Sequence, residues 1–382
     1  METKILQFGE GNFLRCFIDW MVQKMNDKAG FDGQVQIIQP IGDELSVPAK
    51  ILNERGGRYH TCLRGVIDGR QVEEISSVKG VDLWTNVEQY ATLPSLRFVF
   101  SNTTEAGIQY VKGANTYPAK VLRLLKARCA AGLPGLVFIP CELIEHNGDN
   151  LKKCVLQHLA DEADNPNNRT IEQYVNDQCV FCSTLVDRIV AGRPDPESAA
   201  RYAAELGERD EVLVCGEPFH FFVIETPKGF DLEAELPLQK AGVNVVYTPD
   251  MQPYRTRKVR FLNAAHTSIV YWGLERGFTE VAQVVGDQEG NAFLRKILFE
   301  EVYPTVNLPD AEKTDYANSI LERFANPFAH HQLASIALNT IAKWKTRCLP
   351  VVCDYYRLYG KFPENMMAGY EAIARHYDIL QH

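Results

Sequence analysis

Short apolar runs alternate with amphipathic stretches through the first two-thirds of the chain. Lys4 to Phe8, Val35 to Gln39, Arg97 to Ser101, Leu136 to Pro140 and His220 to Glu225 have the length and residue types of buried strands. Helical patterns follow the first, third and fourth runs. In the first, Phe13, Phe17, Trp20 and Met21 recur three or four positions apart, so one helix face is apolar. The polar stretch Asp161 to Arg169 reads as a surface loop and Ala191 to Pro196 as a second break. Beyond Tyr247-Thr248-Pro249-Asp250 the strand signals stop. Helical patterns take over at Arg255 to Glu275, Glu289 to Tyr303, Asp310 to Phe324, His331 to Lys345 and Asn365 to Tyr377. The expected architecture is an α/β domain over residues 1–250 and an all-helical C-terminal domain over residues 251–382, with the active site between them.

Composition narrows the partners. The 382 residues carry 40 basic and 49 acidic side chains, a net charge of −9, which disfavours nucleic acid and anionic membranes because both need a basic face. No run approaches the ~20 apolar residues of a membrane span. The opening Met1-Glu2-Thr3-Lys4 leads straight into a strand pattern without the apolar stretch of a signal peptide. Ten scattered cysteines in a chain this rich in core residues read as free thiols in a reducing cytosol.

The segment from Ile5 to Arg15 runs strand, tight turn, helix. Gly9 permits the turn, Gly11 lets a pyrophosphate approach the backbone, and the helix start at Asn12 and Phe13 stabilises its charge. Leu14 replaces the third glycine of the usual fingerprint, so a plain strand-to-helix turn stays open as the alternative. The expected first domain is accordingly Rossmann-like and dinucleotide-binding. At the end of the second strand, Asp43 and Glu44 come late and no Arg or Lys stands immediately after the strand, which favours NAD over NADP. Ser101, Asn102 and Thr103 end another strand where nicotinamide and ribose hydroxyls are commonly held. The alternative there is a helix cap at Thr103 or Thr104, with Glu105 in the first turn.

Arg257 to Thr267 carries the sharpest chemistry. On an α-helix Asn263 lies roughly 140° and His266 roughly 80° from Lys258, all on one side. Hydride transfer to a ketone needs a proton donor and groups that stabilise the developing alkoxide. A lysine taken out of water can serve as general acid or base, and Asn263 and His266 can donate to the oxyanion. No metal is then required. A solvated basic helix start with a satisfied core Asn and His is the competing reading. Elsewhere, Cys179 and Cys182 have metal spacing but no second ligand pair. Asp187-Arg188 reads as a local ion pair. Gly216 to His220 reads as a turn, with a substrate role for Glu217 or His220 as the lesser alternative. His330 and His331, placed on a helix, point about 100° apart and chelate poorly.

Gln7-Phe8-Gly9-Glu10-Gly11-Asn12-Phe13-Leu14-Arg15 and the set Lys258, Asn263, His266 together resemble the polyol-specific long-chain dehydrogenases, the mannitol dehydrogenase family. The resemblance continues through Phe98 to Ile108, Pro140 to Gly148, Phe181 to Val190, Arg323 to Phe328 and His331 to Asn339. It implies an NAD-linked, metal-free oxidoreductase in which Lys258 moves the proton and Asn263 and His266 polarise the carbonyl. Leu143 stands where the sugar-alcohol enzymes have an Asn, which favours members acting on hexuronates and hexonates. Such a substrate carries a carboxylate and needs a cationic clamp, for which Arg323 and His331 are the candidates. The resemblance also places Asp187 near the site. A mannitol-type polyol dehydrogenase, a different uronate reductase and a non-enzymatic NADH-sensing protein remain the alternatives.

Overall fold

The structure, a computed structural model, describes residues 1–67, 69–104, 106–162 and 166–377. Its strands among these residues are β1 (Glu2–Phe8), β2 (Gly33–Gln39), β3 (Tyr59–Arg64), β4 (Arg70–Ile75), β5 (Val78–Leu83), β6 (Phe98–Ser101), β7 (Val137–Pro140), β8 (Val180–Phe181), β9 (Ser183–Asp187), β10 (Val190–Gly192), β11 (Val214–Gly216), β12 (Phe221–Glu225) and β13 (Val245–Thr248). The chain divides into two compact units. One comprises Met1–Leu63 with Arg70–Met251, the other Arg64–Gly69 with Gln252–His382.

The first unit is built on a six-stranded sheet in the order β5-β2-β1-β6-β7-β8, every pair parallel. Its centre begins at β1, from which successive crossovers travel first one way and then the other. That is the doubly wound Rossmann arrangement, whose switch point falls between β1 and β6. The central strands are apolar on both faces because helices cover both sides. Ile5 joins one core cluster with Phe17, Trp20 and Met21, while its neighbour Leu6 joins the opposite one with Tyr117, Val121 and Leu125. At the carboxyl end, Phe8 pairs with Ser101 and Ser101 with Pro140, which sets three chain turns side by side.

Two smaller sheets complete the unit, in the orders β10-β11-β3-β4 and β13-β12-β9. The hydropathy pattern did not pick out most of their strands. β4 is largely solvated, and β10 and β11 are three residues each, too short or too polar to register as apolar runs. The break expected over Ala191 to Pro196 is divided in the structure. Its first part closes β10, and Asp195 caps a helix at Pro196–Leu206.

The second unit is helical, with one isolated bridge between Glu280 and Gln332. Asp310–Phe324 is a helix as read from the sequence. The helix expected from His331 to Lys345 is not continuous. His330 has φ +44° and closes a 3-10 turn, helix begins only at Leu333, and Asn339 (φ +57°) breaks it again before Thr340. His330 and His331 are therefore not helical neighbours. Two helices went unread, Val281–Gly286 and Leu349–Tyr359. No helix among the described residues is long and apolar enough to cross a membrane.

Candidate active site

The turn after β1 is held from below. Gly9 has φ +122°, its N–H donates to Ile38 O at 2.9 Å, and a Cβ on it would stand 3.0 Å from Asn102 O. Any side chain would be strained and would push the β6 loop away. Gly11 differs: its backbone is ordinary (φ −64°), it is exposed, and nothing lies within 4 Å of where a Cβ would be. One glycine is needed by the fold, and the other leaves room for a ligand. Asn12 opens a helix that runs without interruption through a π-helical stretch at Arg15–Asp19 to Ala29. Such bulges concentrate at functional sites. The buried Arg15 guanidinium lies in this bulge. It donates to Glu10 O (3.1 Å), to Asn12 Oδ1 (2.7 Å) and to Val212 O. Asn12 and Phe13 are half-buried, and Phe13 stacks on Phe17 at 5.2 Å.

The loop after β6 is fixed by a carboxylate that sequence reasoning missed. Glu142, 2% exposed and two residues beyond β7, accepts Ser101 Oγ at 3.0 Å and both Thr103 N and Thr103 Oγ1 at 2.9 Å. Burial raises its pKa and the Thr103 and Ser101 donors oppose the rise. The two hydroxyls are thus committed to Glu142. Asn102, half-buried, donates its amide to Cys141 O at 2.8 Å. No helix starts at Thr103 or Thr104, which corrects the capping alternative. Thr104 has φ +75°, and the next helix begins at Tyr117. Glu105 lies outside the described residues. Asn102, Thr104, Ala106, Glu142 and the exposed Leu143 line a cavity of about 460 Å³ at this edge. In the sequence, Glu142 lay in plain sight after Pro140-Cys141, but nothing in its spacing pointed to Ser101.

Asp187 ends β9 and is buried. The neighbouring Arg188 donates instead to the main-chain oxygens of Phe219 (3.2 Å), Cys16 (2.6 Å) and Pro218 (3.2 Å), and lies over the Trp20 ring. Glu217 accepts Ile189 N at 2.6 Å, and His220 accepts Asn244 N at 3.0 Å. Both are held by backbone groups. No disulfide joins any of the ten cysteines, and Cys179 and Cys182 are buried. No metal-holding group of three or more His, Cys, Asp or Glu is present among the described residues.

In the second unit, Lys258 ends a helix at Gln252–Lys258, and the chain continues as π-helix over Val259–Asn263 before returning to α-helix at Ala264–Glu275. The Ala264 N–H reaches back five residues to Val259 O. This corrects the plain helical wheel. A five-residue turn brings Asn263 round toward the side of Lys258, where an α-helix would leave them roughly 140° apart. Lys258 and Asn263 are half-buried and His266 is 7% exposed. The His266 ring stacks on Phe324 at 4.0 Å and meets His331 edge-on at 4.5 Å. Its Nε2 is buried without a hydrogen-bond partner. Burial, then the mutual repulsion that protonated His266 and His331 would feel, then the positive charges of Arg323, Arg347 and Lys343, hold the His266 pKa well below the usual value. Arg323 is 5% exposed, in the last turn of its helix. Burial, then Arg323, holds His331 down at about 4. Near neutral pH both imidazoles are uncharged. Arg323, not His331, supplies positive charge beside His266. Arg347 and Lys343 add to it, and sequence reasoning passed over both.

Residues 3–238 match the mannitol dehydrogenase Rossmann domain and residues 250–378 the mannitol dehydrogenase C-terminal domain. The chain is 40% identical to an altronate oxidoreductase of Bacillus subtilis strain 168 over 394 residues, covering 98% of this chain and 79% of that protein. It is 39% identical to the altronate oxidoreductase of Shigella flexneri, covering 98% of this chain and 80% of that one. Among solved structures, Pseudomonas fluorescens mannitol 2-dehydrogenase, in ternary complex with NAD and D-mannitol, superposes with a TM-score of 0.77 at 22% identity. That match covers 98% of this chain and 79% of the other. Two domain matches spanning most of the chain, on a doubly wound sheet followed by helices, lead to one conclusion: the chain belongs to the mannitol dehydrogenase family of oxidoreductases.

Proposed function

We propose that this chain catalyses the reversible, NAD-dependent reduction of D-tagaturonate to D-altronate, a step of hexuronate catabolism in the cytoplasm. The relatives named altronate oxidoreductase support the substrate. The observation that carries the reading is that Lys258, Asn263 and the orphaned His266 Nε2 lie on one π-turned helix, with the charge of Arg323 acting on His266.

The glycine turn suits a dinucleotide. Gly11 leaves open space over the turn, and the exposed start of a long helix offers main-chain N–H groups to a pyrophosphate. Gly9, Gly11, Asn12 and Phe13 would hold that end, with the Ser101, Asn102 and Thr103 loop at the nicotinamide side. Because Glu142 takes the two hydroxyls and Cys141 O takes the Asn102 amide, the loop, Asn102 included, acts through its backbone. Bound NADH supplies the hydride.

Lys258 gives a proton to the keto oxygen as that oxygen gains negative charge, and in the reverse direction takes it from the alcohol. Asn263 and His266 donate hydrogen bonds to the same oxygen. A neutral His266 suits this task, since it polarises the carbonyl without competing to deliver the proton. Arg323 pairs with the substrate carboxylate, and His331 contributes a neutral hydrogen bond. Fructuronate reduction and mannitol-type polyol oxidation are the rival activities within this chemistry. Incubation with NADH and each of D-tagaturonate, D-fructuronate and D-fructose separates them. Tagaturonate is expected to turn over fastest, and faster turnover of fructose than of either uronate overturns the uronate assignment. An NADH-sensing protein without chemistry would bind NADH and turn over none of the three.

A further inference from the structure

A Rossmann site usually ends its second strand with an acid that accepts a hydrogen bond from the adenosine ribose. Here β2 ends at Gln39, and Gln39 is occupied otherwise. Its amide donates to Ile41 O at 2.7 Å and to Glu44 O at 2.8 Å, and its oxygen accepts Ser46 N at 2.7 Å. The side chain is a brace for the 40–46 loop. Asp43 and Glu44 are exposed, and Glu44 lies 4.0 Å from Lys50.

Another carboxylate reaches this place from the neighbouring turn. Glu10 stands between Gly9 and Gly11, and Gly9 N is bonded to Ile38 O near the end of β2. The half-buried Glu10 side chain meets Ser46 Oγ at 3.3 Å, where Ser46 caps the helix Val47–Glu54. Glu10 is thus held at the junction of the β1 turn and the β2 loop, one residue from the open Gly11 cradle. Of the cations nearby, Lys50 is exposed and pairs only loosely with Glu44 at 4.0 Å, and two others are engaged by main-chain and side-chain oxygens. Arg15 is buried and bonded to three oxygens, and Lys120 Nζ donates to Pro40 O at 2.6 Å with 7% of the residue exposed.

We propose that Glu10 reads the adenosine ribose of the cofactor: its carboxylate accepts the 2′-hydroxyl of NADH and repels the 2′-phosphate of NADPH. The glycine turn thus brings a carboxylate to the end of β2, where the strand itself supplies none. This rests on the nucleotide-binding part of the proposed function and not on the identity of the sugar substrate. A 2′-phosphate brought against Glu10, with Asp43 and Glu44 on the adjacent loop, meets like charge and no uncommitted cation of that loop.

Titration calorimetry of the intact chain with NADH and with NADPH tests the assignment without any turnover. The native protein is expected to bind NADH at least about tenfold more tightly than NADPH, the scale of a charge-assisted hydrogen bond. In Glu10→Gln that ratio should fall at least about fivefold, with NADPH binding improved, while Glu44→Gln should change it less than twofold. Circular dichroism melting of each variant shows that it is folded. Equal binding of both nucleotides by the native protein overturns the proposal, as does an unchanged ratio in a folded Glu10→Gln. A shift in Glu44→Gln as large as in Glu10→Gln also overturns it, because selectivity would then come from the charge of the whole loop. If neither nucleotide binds, the dinucleotide reading itself fails.

Discussion

The switch point of the first unit and the π-turned helix of the second treat their polar groups in opposite ways. At the switch point, Arg15 bonds to three oxygens, Glu142 takes three donors, and Asn102 is tied to Cys141 O. Side chains are used up in holding the backbone, and the backbone is what is left to meet a ligand. In the second unit the side chains themselves are presented. His266 Nε2 is buried with no partner, and positive groups surround it. A buried polar atom left unpaired costs roughly 1–3 kcal/mol, so the fold bears strain there that a bound oxygen would relieve. The comparison separates a rigid cradle from a reactive surface. Substitutions in the first should change binding and stability, and in the second, rate and specificity.

The largest effect is expected at Lys258. Lys258→Ala should lower kcat by about 10³-fold, within the range of general acid–base catalysis, while the Kd for NADH changes less than twofold. If NADH affinity falls with the rate, the two regions are not separable. Arg323→Ala comes next. Loss of a charge-assisted contact of about 2 kcal/mol predicts a KM for uronates raised roughly thirtyfold, with fructose little affected. Equal effects on both substrates would remove Arg323 from carboxylate recognition.

Glu142→Ala tests the cradle. It strands the Ser101 hydroxyl and both Thr103 donors, so stability should fall by about 3 kcal/mol and NADH Kd should rise, with kcat at saturating cofactor nearly preserved. A kcat loss as large as that of Lys258→Ala would erase the contrast. The effect that is smallest when read one pH unit at a time belongs to His331. His331 titrates at about 4 in the fold and near 6.5 when unfolded, so the unfolded chain binds more protons between those values. Its contribution is intact above pH 6.5 and is lost as pH falls toward 4, at about 1.4 kcal/mol per pH unit. His331→Gln should therefore show a shallower drop in melting temperature over that interval. An identical slope would mean that His331 is not held neutral.

Much of the first unit was legible because parallel strands covered on both faces are continuous apolar runs. β1, β2, β6, β7 and β12 stood out for that reason. β4, β10 and β11 did not, since a short or solvated strand leaves no hydropathy signal. The π-turn at Val259–Asn263 could not be read from periodicity, which assumes a constant angle per residue. The five-residue spacing of Lys258 and Asn263 matches the i to i+5 repeat of such a turn. His331 was misplaced on a helix because Ala329-His330-His331 has no Pro or Gly to announce the left-handed His330. Glu142 and Arg347 act across long stretches of sequence, on Ser101 and His266, and only folding reveals such pairs.

The claim on which the rest depends is that the Lys258 amine moves the proton. The pH profile of kcat for altronate oxidation, in the native protein and in Lys258→Ala with and without added methylamine, tests it most directly. In the native protein the rate should rise tenfold per pH unit to a plateau. In the variant the rise should vanish, and methylamine should restore rate in proportion to its concentration. A Lys258→Ala variant that keeps the native inflection and a near-native rate would contradict the account.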